Sequence, residues 1–153
     1  MVSSLKVANL FLSWANKDGD LITNLKIQKL LYYAQAWHLV YFNRPLFREP
    51  IEAWDFGPVV DNVYQAFKTF GCNAIKYKNT RKESKVFTNN QLEFLRSCYE
   101  TFIKFSANEL VNMTHGEDPW REAFKKGRSA DIDHKSMKDY YSKLLKVRKN
   151  GKA

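Results

Sequence analysis

"NLKIQKLLYYAQAWHLVYFN", residues 24–43, reads as a helix with almost no polar side. Ile27, Leu30, Leu31, Ala34, Trp37 and Tyr41 recur at the spacing of one helical face. Tyr33, Ala36, Leu39, Val40 and Phe42 fill much of the remaining circumference. A surface helix keeps a polar side toward water, whereas one that is apolar nearly all round needs neighbours on every side. The stretch therefore predicts a central helix, capped by Asn24 and broken by Asn43-Arg44-Pro45, with the other elements wrapped around it. The fold class that follows is mainly α: a compact single-domain helical bundle around a buried central helix, with a small β element.

Working outward, Ser3 or Ser4 caps a first helix that runs to about Asn16, where "KDGD" ends it. After the central helix, "PIEAW" has the length of a short strand. Gly57 then frees the backbone, and Pro58 is expected at the first position of a third helix, because its preset φ suits that place. This helix carries Val59, Val60, Val63, Tyr64 and Phe67 and stops at Gly71. Trp54, Phe56, Gly57 and Pro58 are thus expected to form a strand-to-helix corner. Residues 74–87 alternate loosely around a charged turn, as a small hairpin would. Thr88 with Gln91 and Ser106 with Glu109 are capping boxes for two further helices. Asp118 and Pro119 open a short helix closed by Gly127. Asp133 opens the last, with Met137, Tyr140, Tyr141, Leu144 and Leu145 on its apolar stripe. Residues 1–147 read as one domain and 148–153 as a frayed basic tail.

At 153 residues the chain is long enough to bury a sizeable core, and 23 aromatic side chains supply it. The two cysteines, Cys72 and Cys98, lack metal-ligand spacing and read as small buried hydrophobes in a reducing cytoplasm. The opening residues make a poor secretory signal, and the longest charge-free run, residues 30–43, falls short of the roughly 20 residues a bilayer requires. The expected location is cytoplasmic. Net charge is +9, and from Arg121 onward 11 Lys and Arg face 4 Asp and Glu. A basic C-terminal stretch of this kind reads first as a solvated helix face with a frayed tail, and otherwise as a patch that steers an acidic partner or a nucleic acid.

Chemistry is hard to find. His38 sits among core residues and reads as a hydrogen-bonded core histidine. His115, Glu117 and Asp118 lie close together, but no second histidine stands at a ligand spacing, so no metal and no cofactor are expected. His115 reads instead as the last residue of a helix stopped by Gly116, with Asp118 capping the next. His134 belongs to a surface turn. No phosphate-cradling glycine loop and no nucleophile elbow occur.

The segment from Leu25 to Gly71, with Thr114-His115 followed by Pro119-Trp120, and Ile132, Met137, Tyr140 and Tyr141 near the end, resembles the Panacea-domain family of SocA-like antitoxins and GepA phage-associated proteins. The resemblance spans almost the whole chain. It implies a helical antitoxin-like domain from a toxin–antitoxin or prophage locus, which neutralises a cognate protein toxin by contact. In the SocA branch it implies an adaptor that delivers the toxin to a ClpXP-type protease. It brings no catalytic residues. A partner-binding surface is expected at the corner and the polar side of the third helix: Trp54, Phe56, Asp61, Asn62, Gln65 and Lys68. The alternative is nucleic-acid binding by the basic C-terminal third, with Trp120, Tyr140 and Tyr141 as stacking surfaces. An enzyme built on His115 and Asp118 ranks last.

Overall fold

The computed structural model describes residues 1–78 and 82–151. Seven α-helices are found among them: α1 (Ser4–Asp18), α2 (Asn24–Phe42), α3 (Asp61–Phe67), α4 (Asn89–Phe102), α5 (Ala107–His115), α6 (Asp118–Lys126) and α7 (His134–Asn150). Three short strands accompany them: β1 (Glu52–Trp54), β2 (Gly57–Val59) and β3 (Ala130–Asp131).

The central helix is as the sequence predicts. Residues 27–39 of α2 are buried without interruption, and the helix packs against α1, α3, α4, α5, α7 and β2. Thr23, rather than Asn24, caps it: the Thr23 hydroxyl accepts the Lys26 N–H at 3.2 Å. Asn24 is buried inside the first turn, where its amide donates to the Tyr64 carbonyl at 3.1 Å and its oxygen accepts from Gln28. At the other end Asn43 takes a left-handed φ of 56° and closes the helix. The last turn leaves the core, so Tyr41 and Phe42 are exposed although their spacing had assigned them to a buried face.

Ser3 caps α1, and the capping boxes at Thr88–Gln91 and Ser106–Glu109 are both formed. Asp133 caps α7 by accepting the Lys135 and Ser136 N–H groups. Glu117, not Asp118, holds the N-cap position of α6, with Pro119 in the first turn. Helix α7 continues past Val147 to Asn150. No helix among the described residues is long and apolar enough to cross a membrane.

The corner after "PIEAW" differs from expectation. Gly57, Pro58 and Val59 do not open a helix; they form β2, antiparallel to β1 in the register Glu52↔Val59, Ala53↔Pro58, Trp54↔Gly57. Asp55 and Phe56 are left as the two-residue tip, and Gly57 takes φ +104°, a value open to glycine. Pro58 tolerates this place because an edge strand need not use its missing N–H, and its φ is as compatible with a strand as with a helix. The helix begins only at Asp61, where the Val63 and Tyr64 N–H groups turn back onto the Val60 carbonyl. A 3-10 turn at residues 68–70 then leads into Gly71. Strand β3 pairs on the other side of β1, giving the order β2-β1-β3.

The expected hairpin over residues 74–87 is absent from the described part of that stretch; its tip at 79–81 lies outside the described residues. Ala74 makes a single bridge to Thr23, Ile75 donates to the Ile22 carbonyl at 2.8 Å, and Glu83–Val86 is a 3-10 turn against α1. Ile75, Tyr77 and Phe87 pack against the helical core, whereas Val86 is exposed. Cys98 is buried as expected, but Cys72 is exposed.

Candidate interaction site at the hairpin

The β1–β2 hairpin is clamped to the helical core by side chains that enter from three helices. From α2, Gln28 accepts the Val60 N–H at 2.9 Å, and the Lys29 ammonium donates to the Pro58 carbonyl at 3.1 Å. From α6, the Trp120 indole N–H donates to the Trp54 carbonyl at 2.9 Å. From α5, the Thr114 side chain lies under Gly57 and donates to the Val111 carbonyl at 2.8 Å. A Cβ at position 57 would stand 2.6 Å from Lys29 Cε and 2.8 Å from Thr114 Oγ1. Glycine is therefore required there by space as well as by φ.

Lys29 is fully buried, and burial alone pulls its amine down from the ordinary 10.5 to about 7. Sequence reasoning missed it, because a lone lysine on an otherwise apolar helix looks like a solvent-facing exception. The readable signal was that no polar side existed for it to face. A second buried polar cluster was equally hidden. The Tyr33 hydroxyl donates to the Glu117 carboxylate at 2.5 Å, and Tyr141 donates to Tyr32 at 3.1 Å. Burial holds the Glu117 carboxyl above its usual range.

His38 and His115 stand where the sequence places them. The His38 ring is buried, with Nδ1 2.7 Å from the Arg44 carbonyl, and desolvation holds its pKa low. His115 ends α5 and stacks on Trp120 at 4.2 Å between ring centroids. No group of three His, Cys, Asp or Glu among the described residues is arranged to hold a metal ion.

The clamp leaves the hairpin tip facing outward. Phe56 is 69% exposed. Trp54 is half-buried, edge-on to Tyr64 at 4.9 Å, with its indole donating to Glu52 at 2.9 Å. Beside them opens a groove of about 520 Å³ lined by Leu25, Trp54, Phe56, Tyr64, Lys68 and Arg128, among others. Arg128 also lies 3.9 Å from Asp55. The six residues expected to bind a partner thus divide. Trp54, Phe56 and Lys68 share this groove. Asp61, Asn62 and Gln65 line the neighbouring side of α3, where Gln65 donates to Asp61 at 3.1 Å and Asn62 accepts from Ser4 at 3.3 Å. Of the stacking residues expected for nucleic acid, Trp120 and Tyr141 are buried, and Tyr140 is half-buried against Tyr141.

Residues 27–121 match the family described as antitoxin SocA-like, Panacea domain. The match starts in α2 and ends in α6, the two helices whose Lys29 and Trp120 hold the hairpin. The chain is also similar to Antitoxin SocA of Caulobacter vibrioides (strain NA1000 / CB15N), 34% identical over 129 residues, covering 78% of this chain and 69% of that protein. No solved structure matches. By both comparisons, the chain belongs to the antitoxin SocA-like, Panacea-domain family.

Proposed function

We propose that this protein is a cytoplasmic antitoxin, a binding module rather than an enzyme, which neutralises a cognate protein toxin by direct contact. The contact surface is the hairpin tip with its groove and the adjoining side of α3: Trp54, Phe56, Asp61, Asn62, Gln65 and Lys68. The observation that carries this reading is Phe56, a large apolar side chain held in water at the tip of a hairpin that three helices clamp. An apolar anchor on a pre-ordered support, beside a groove and a polar rim, has the make-up of a binding hot spot. The family membership agrees with an antitoxin role.

The test is co-expression with the toxin encoded beside its gene. Phe56→Ala, Asp61→Arg and Gln65→Ala are expected to melt like the wild type and to lose growth rescue. Full rescue by all three, with loss of rescue on substituting exposed α7 residues instead, would move the interface to the other side of the molecule. Handing the toxin to a ClpXP-type protease is the second step of this reading. It predicts that the toxin's half-life shortens only when antitoxin and protease are both present. Nucleic-acid binding would declare itself as an affinity that falls steeply with salt.

A further inference from the structure

A second groove, of about 510 Å³, opens where the ends of α2, α4 and α7 meet. Trp37, Tyr41, Phe42, Phe94, Leu145 and Arg148 are among its walls. Tyr41 is 59% and Phe42 41% exposed. Their rings are braced on each other: Phe42 meets Phe94 edge-on at 5.3 Å and His38 at 4.7 Å, and Tyr41 lies 5.9 Å from Trp37. Leu25, on the wall of the hairpin groove, and Tyr41 stand sixteen residues apart on one helix, about 24 Å at the rise of an α-helix. The two grooves therefore occupy opposite ends of α2. The α7 wall also lies beyond residues 27–121, which the family match spans.

We propose that this groove is a second docking surface, for an apolar protein segment that carries an acidic side chain. Exposed, pre-packed aromatics mark a surface that gains by being covered. The charge of the occupant follows from the rim. Among the described residues Arg148 is the one charged residue lining the groove, and it forms no salt bridge with any of them. Its field reaches Glu117, which is already engaged by Tyr33. From Tyr140 to Gly151 the chain has no Asp or Glu. Lys138, reaching the Asn43 side chain, adds positive charge at the same end.

Two other occupants fit less well. A nucleic acid needs a row of cations beside its stacking rings. At about 100° per residue, Tyr141, Leu145 and Arg148 share one face of α7, Lys138 and Lys149 flank it, and Lys143 and Lys146 point to the opposite side, so Arg148 is the cation that stands among the rings of the groove. A second copy of this chain would set one positive rim against another, which disfavours pairing.

The experiment uses the full-length protein and a fluorescein-labelled amphipathic helical peptide of leucine and glutamate, with a leucine–lysine peptide as its charge-reversed control. Fluorescence anisotropy is expected to show saturable binding of the acidic peptide and at least about tenfold weaker binding of the basic one. Arg148→Glu and Tyr41→Ser should each weaken the acidic peptide by at least about tenfold, while Phe56→Ala leaves it unchanged. Because Tyr41 and Arg148 are exposed, thermal melting should not move. The proposal is overturned by no saturable binding, by equal affinity for both peptides, or by loss of binding in Phe56→Ala. It is also overturned by a single-stranded oligothymidylate that displaces the peptide, or by sedimentation showing a dimer that Tyr41→Ser dissolves. The growth assay with Phe56→Ala reads the hairpin site separately, so the two readings fail independently.

Discussion

Gly57 and Lys29 share one buried point, and each makes the other necessary. Gly57→Ala would force a Cβ to within 2.6 Å of Lys29 Cε, at φ +104°. The lysine cannot yield without giving up its bond to the Pro58 carbonyl. Gly57→Ala is therefore expected to destabilise the fold by about 2–4 kcal/mol, read as a lowered urea midpoint, since backbone strain and a lost buried hydrogen bond add. A melting curve like the wild type's would show that the hairpin adapts. Lys29 makes a prediction in pH. Its amine releases the proton at about 7 in the folded state and at about 10.5 when unfolded. Between those values the unfolded chain holds more protons, so this residue makes stability rise with pH, by at most about 1.4 kcal/mol per unit. Below pH 7 both states are protonated and the full burial penalty remains. Lys29→Met should flatten this component. The stability of wild type relative to Lys29→Met should climb from pH 7 to pH 10 and stay level from pH 5 to pH 6.5. Parallel curves would mean that the amine stays solvated and keeps its ordinary pKa in the folded state, whereas a climb that continues below pH 6.5 would mean that it is neutral throughout.

The hairpin behaves as an element only because helices hold it. Two strands of three residues are marginal alone, and β3 pairs over just two residues. The Trp120 indole fastens the Trp54 carbonyl at the turn. Trp120→Phe keeps the ring, and with it the stacks on His115 and Phe124, but removes the donor. It is expected to destabilise by about 1 kcal/mol. Backbone amides of residues 52–59 should then exchange about fivefold faster under native conditions, with α4 unchanged. Uniform acceleration across the chain would show that Trp120 serves global stability and not the hairpin. The helices, in contrast, carry their own boundaries. Thr88–Gln91, Ser106–Glu109 and Asp133 were legible as caps because capping is decided within four residues.

Across the whole molecule, α2 touches most other elements, so the fold should open as one unit. The two cysteines report on this. Cys72 is exposed, whereas Cys98 is buried and its thiol is pushed up to about 12. With excess Ellman's reagent at pH 8, one thiol should react at once. The second should react at a rate that rises with denaturant in step with global unfolding, and Cys72→Ser should abolish only the fast phase. A second fast thiol would place a local opening at α4.

The sequence by itself determined the helical class, the burial of α2, the caps at Ser3, Thr88, Ser106 and Asp133, and the place of β1. Those features depend on periodicity and on side chains reaching their own backbone, both of which are local. It also singled out Trp54 and Phe56, which lie half-buried and exposed at the hairpin. Only the tertiary structure decided that Gly57–Val59 is a strand, because the Lys29, Gln28 and Trp120 bonds that hold it come from residues 29 to 66 positions away. The same holds for Tyr41 and Phe42. Their spacing matches the buried residues of α2, yet the helix outruns its neighbours there, and whether a side chain is covered depends on what lies beside it, which no local pattern encodes.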